Sequence, residues 1–133
     1  MPTRGSTSDH AGAIAAVRRA LDDGAEPERG LLAEAVRALA SELEAAYGGR
    51  TIEVRVPPFA AVQLRSASGE GPQHHRGTPP NVVETDPATF VLLATGTLSW
   101  DDAVAQHRLR WSGAHAHDVA TMLPLTRGDR VGA

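Results

Sequence analysis

The chain has 133 residues and a formal net charge of −3, with 16 acidic residues against 13 basic ones, all of the latter Arg. It contains neither Cys nor Lys, which removes disulfides, thiolate metal sites, cysteine nucleophiles, Schiff-base lysines and the P-loop lysine together. The acidic balance and the lack of any Arg-rich run argue against a nucleic-acid surface.

Hydrophobic residues make up 41% of the chain, enough for one core and too little for two. The first ten residues, MPTRGSTSDH, have no apolar stretch of the signal-peptide kind. The longest apolar runs, such as FVLLA at 90–94, fall well short of the ~20 residues that a bilayer span requires. The expectation is a cytoplasmic protein with no integral membrane segment. Its organisation reads as a disordered leader at 1–8, a single domain at 9–125 with helices at 9–49 and a sheet with short helices at 50–125, and a polar tail at 126–133.

In chain order, Ser8 is placed to cap a helix over residues 9–22, with Ile14, Val17 and Leu21 at helical spacing and Gly24 at its end. A longer helix starts near Pro27 and carries Leu32, Val36, Leu39 and Leu43 on one face, with Gly48-Gly49 as its stop. Glu34, Arg37, Glu42 and Glu44 on the other face read as a solvated surface. The period then changes from 3.6 to 2. In TIEVRV, Ile52, Val54 and Val56 alternate with Glu53 and Arg55, and in AAVQLR Val62 and Leu64 alternate with Gln63 and Arg65. Pro57-Pro58 between them ends the first ladder, so 51–65 reads as a paired unit at or near a sheet edge. Residues 66–80, SASGEGPQHHRGTPP, form a long loop.

NVVET at 81–85 is a further strand. Asp86 then caps a short helix with Pro87 in its first turn, apolar nearly all round and therefore buried, which Gly96 closes. Ser99 with Asp102 opens another helix that ends near His107. RLRWSG is the last strand, with Leu109 and Trp111 facing in and Arg108 and Arg110 out. A final helix over 115–123 presents Val119, Met122 and Leu123, and Pro124 halts it. The order does not alternate as βαβ units do. It predicts an α+β fold, a small, twisted, mostly antiparallel sheet covered on one face by helices.

The stretch from Val83 to Leu125 resembles the C-terminal half of the sterol carrier protein type 2 family. The matching features are Asp86 opening a short apolar helix with Phe90 and Leu93, a Leu-x-x-Gly helix end at Gly96, and a second helix from Ser99 to Gln106. The strand Arg108-Leu109-Arg110-Trp111-Ser112-Gly113 and the amphipathic segment from Val119 to Leu123 complete it. With VRVPPFAAVQ and HHRGTPPNVVETDP the resemblance extends over residues 28–125 and is to a bacterial offshoot of that family. It implies a sterol-carrier-like fold, here with two added N-terminal helices, and an apolar tunnel between sheet and helices for acyl or sterol-like ligands. It implies no catalytic residue and no cofactor. The stretch between Leu64 and Asn81 is shorter than the family's meander, which points to a smaller or differently closed sheet. The added helices either plug the tunnel mouth or mediate homodimerisation.

On that resemblance the expected apolar lining is Phe90, Leu93, Val104, Leu109, Trp111, Met122 and Leu123, and Met122 suits an adaptable surface. His74, His75, Arg76 and Glu84 are the expected polar mouth, with Arg76 as a clamp for a carboxylate or phosphate. A metal site is not expected: on a helix His115 and His117 point about 200° apart and cannot share one ion. Nor is a serine nucleophile, since Ser66, Ser68, Ser99 and Ser112 lack a GxSxG elbow. The sequence therefore reads first as a non-enzymatic lipid-binding or lipid-carrier domain with an apolar small-molecule partner. A second reading is a protein-interaction or homodimerisation module with a filled, ligand-free core that uses the Leu32/Val36/Leu39/Leu43 stripe and the RGTPP loop at 76–80. A third is a detached accessory domain of a metal- or thiol-dependent enzyme.

Overall fold

A computed structural model of the chain describes residues 10–69 and 79–125. The expected leader at 1–8, the tail at 126–133 and most of the 66–80 loop lie outside the described residues. Helix α1 spans Ala11–Asp22 and helix α2 spans Arg29–Tyr47. His10 precedes α1 without capping it through its side chain. Its Nδ1 lies 2.7 Å from Glu34 Oε2 instead, so the pair ties α1 to α2. The α2 start is set by Glu28, whose carboxylate accepts a hydrogen bond from the Leu31 N–H (2.9 Å), rather than by Pro27, which stays outside the helix.

Gly48 ends α2 and at once begins strand β1, Gly48–Val56, so the expected helix stop is also a strand start. A Cβ at position 48 would sit 2.7 Å from the Glu44 carbonyl oxygen, a contact that only glycine avoids.

Strand β2, Ala60–Leu64, returns antiparallel to β1 with Val54 opposite Val62 and Val56 opposite Ala60. The turn at Pro57-Pro58-Phe59 is closed by a Phe59 N–H to Val56 C=O bond of 2.9 Å. Strand β3, Asn81–Thr85, lies parallel to β1 on its other side, and strand β4, Leu109–Ser112, pairs antiparallel with β3. The sheet order is β2-β1-β3-β4. The mostly antiparallel expectation therefore holds, with β1 and β3 as the one parallel pair and β2 and β4 as the two edges.

Helix α3, Pro87–Ala94, is capped by Asp86, whose carboxylate accepts from the Thr89 N–H (3.0 Å) and the Thr89 hydroxyl (2.6 Å). Helix α4, Trp100–Ala105, is capped by Ser99 Oγ accepting from the Asp102 N–H (3.0 Å). Both caps match the sequence reading.

The final helix does not. Residues Ala116–Thr121 form a 3₁₀ helix, held by i→i+3 bonds such as Asp118 N–H to His115 C=O (3.0 Å). In that geometry positions three apart eclipse, and Ala116, Val119 and Met122 all face the core, followed by Leu125. The period of three in these four positions is the signal that distinguishes this segment from an α-helix.

The strands bury Ile52, Val54, Val56, Val62, Leu64 and Val83 against the helices. The buried apolar residues from α1 through the 3₁₀ helix form one cluster, with α2 packed on β1 and β2 and α3 packed on α1 and α2. Val36, Leu39 and Leu43 lie in that cluster and Leu32 packs against it. The α2 stripe thus serves the chain's own interior and is not available to the interaction reading, whose other element, the RGTPP loop, lies mostly outside the described residues. No helix among the described residues is long and apolar enough to cross a membrane.

Candidate functional site

The expected lining divides into three groups. Phe90 and Leu93 from α3, Leu109 from β4 and Met122 after the 3₁₀ helix are all buried in one cluster, between the sheet and its helical cover. Val104 on α4 and Leu123 are half-buried and pack against that cluster from its margin. Trp111 departs from the inward placement expected of it, being 43% exposed. Its side chain still points to the same side of the sheet as its register partner Val83, which is buried. The strand alternation is thus correct, but the helical cover ends before it reaches this edge of β4.

Glu84 is not at the margin of the apolar layer. On β3 the inward positions are Asn81, Val83 and Thr85, and the period of two sends Glu84 to the opposite, open face of the sheet. There it aligns with Arg55 of β1 and Arg110 of β4, and Arg110 Nη2 lies 3.2 Å from Glu84 Oε2. Its ion-pair partner among the described residues is Arg110, set opposite it by the strand register. His74, His75 and Arg76, the remainder of the expected mouth, lie outside the described residues. Arg108, expected to face solvent, is half-buried, and its Nε donates to Thr89 Oγ1 at 3.0 Å while Thr89 donates to Asp86. This chain fixes the start of α3 against the start of β4.

Among the described residues no group of three or more His, Asp or Glu side chains converges on a common point. His115 Nδ1 faces Asp118 Oδ2 at 3.3 Å, whereas the His117 ring packs on Trp100, so the two imidazoles take different neighbours. Ser66 Oγ is engaged with the Gly69 carbonyl and Ser99 Oγ with its cap.

Asn81 and Gly113 hold one end of the sheet together. The buried Asn81 side chain donates to the Thr51 carbonyl (2.9 Å) and accepts from the His115 N–H (2.8 Å), joining β1, β3 and the turn after β4. Gly113 sits in that turn at φ +99°, and a Cβ there would lie 2.8 Å from both Asn81 Cα and the Pro80 carbonyl oxygen. Trp100, absent from the sequence-based expectations, follows the Ser99 cap directly. Its ring centroid lies 6.3 Å from Trp111 and 5.6 Å from His117, the latter edge-on.

The protein is therefore an α+β type in which an open four-stranded sheet carries its helices on one face, with an apolar layer between them. A family model described as "Bacterial SCP ortholog" matches residues 28–125, and the chain belongs to this family of bacterial sterol carrier protein orthologues. The match begins one residue before α2, so α2 is part of the family region, and among the described elements only α1 stands ahead of it. No curated protein matches the chain in sequence.

Proposed function

We propose that this protein is a non-enzymatic carrier that takes up an apolar, acyl or sterol-like ligand between its sheet and its helices. Family membership supports the reading, and the placement of the α3 and β4 side chains carries it. Phe90, Leu93, Leu109 and Met122 supply an apolar layer with no charged side chain among them. Val104 and Leu123 extend it to a half-buried margin through which a chain could enter. A thioether such as Met122 repacks at little cost when a ligand arrives. In this reading the protein's work is burial of apolar ligand surface, worth about 25 cal/mol per Å² removed from water, and no residue is assigned to catalysis.

The test is native mass spectrometry of the freshly purified full chain, with solvent extraction and lipid analysis of what accompanies it. A stoichiometric acyl or sterol-like species is expected, as is uptake of a fluorescent fatty acid that Leu123→Arg reduces. A bare chain that also refuses the fluorescent acyl probe overturns the proposal.

A further inference from the structure

Trp100 is 7% exposed, and its indole N–H is the only buried side-chain polar atom without a hydrogen-bond partner among the described residues. An indole nitrogen can only donate, and a buried donor with no acceptor has lost its water without compensation. Buried tryptophans normally find an acceptor. The rings packed on Trp100 are themselves superficial. Trp111 is 43% exposed and His117 is exposed, and among the described residues neither side chain is tied down by a hydrogen bond. The three rings form one cluster, with centroids 5.6 to 6.5 Å apart and the His117 ring edge-on to Trp100. What the cluster lacks is an acceptor, and Trp100 belongs to the same buried cluster as Leu109, Phe90 and Met122.

We propose that the Trp100 indole N–H is the polar anchor of the ligand site, donating to the carbonyl oxygen of an uncharged acyl ester whose chain lies in the apolar layer. Trp111 and His117 turn aside to admit it. This inference rests on the carrier reading and adds the class of ligand. Charge favours an ester over a free carboxylate. Asp101 and Asp102 follow Trp100 directly, Asp118 follows His117, and Arg110 beside Trp111 is on the other face with Glu84. Among the described residues no arginine is hydrogen-bonded to or stacked on Trp100, so a carboxylate buried there would be answered only by the one neutral indole donor. An ester carbonyl meets the donor and brings no charge to bury.

The chain has two tryptophans, so its ¹⁵N spectrum has two indole N–H signals, which Trp111→Phe assigns. The full chain is titrated with methyl decanoate and, separately, with undecane, each delivered from the same cyclodextrin carrier, and binding is followed by tryptophan emission. The expected result is binding of both, with a downfield shift of the Trp100 indole proton for the ester alone. Trp100→Phe should bind undecane as before and lose about fivefold of its preference for the ester, the worth of one net hydrogen bond of about 1 kcal/mol. Equal movement of the Trp100 signal with both ligands overturns the anchor and leaves the carrier reading standing, and this holds even if Trp100→Phe fails to fold. An unchanged ester preference in a folded Trp100→Phe protein does the same. If the wild-type chain binds neither compound, the carrier reading fails and the anchor falls with it.

Discussion

The two edges of the sheet carry the same alternating pattern and end in different environments. At the β2 edge α2 lies over the strands, and Val62 and Leu64 are buried beneath it. At the β4 edge Leu109 is covered but Trp111, two residues on and on the same side, is 43% exposed. A long helix reaches across one edge, whereas only the six-residue α4 and a 3₁₀ helix stand near the other. The lesson is that a period of two states which side of a sheet a residue occupies, and the length of the covering element decides whether that side is dry.

Substitutions can break that contrast, and the largest expected effect is at the turn that ends β4. Gly113→Ala needs a left-handed backbone that costs an L-residue about 1–2 kcal/mol, and its methyl group also collides with Asn81 and Pro80. It should leave little folded protein, as read by circular dichroism and denaturant melts. Phe90→Ala, in the dry half of the layer, should cost about 3–5 kcal/mol in chemical denaturation. If it costs less than 1 kcal/mol, the region around α3 is not close-packed.

Asn81→Ala removes the hydrogen bonds to the Thr51 carbonyl and from the His115 N–H and should cost about 1–3 kcal/mol. Asp86→Ala removes the α3 cap and should cost about 1 kcal/mol. Trp111→Ala should lower stability by only about 0.5 kcal/mol, because its site is at the surface. It should nevertheless alter the emission response of Trp100 to an acyl ligand. A loss of several kcal/mol at Trp111 would mean that the β4 edge is as well covered as the β2 edge and would remove the contrast.

The open face of the sheet sharpens the same point. Arg55, Glu84 and Arg110 line up across three strands, and the Arg110 side chain is largely exposed, so Arg110→Ala should move stability by less than about 1 kcal/mol. Glu84 belongs to this row and not to the apolar layer. The alternation of NVVET places Glu84 on the side of the sheet opposite to Val83, away from the apolar layer whose mouth it was expected to line.

Local chemistry made much of this protein legible from sequence alone. Three of the strands begin and end close to where alternation placed them, and the Asp86 and Ser99 caps act as their side chains dictate, because a cap or a pleat is settled within a few residues. The buried side chains Phe90, Leu93, Leu109 and Met122 follow equally from periodicity and the family pattern. Trp111 and Trp100 did not, since exposure depends on how far a distant helix reaches, and no residue near Trp111 records that length. The 3₁₀ form of Ala116–Thr121, the parallel pairing of β1 with β3 and the bridging role of Asn81 were likewise decided by tertiary structure. Each depends on groups brought together across tens of residues, and the chain determines them only when the whole layer packs at once.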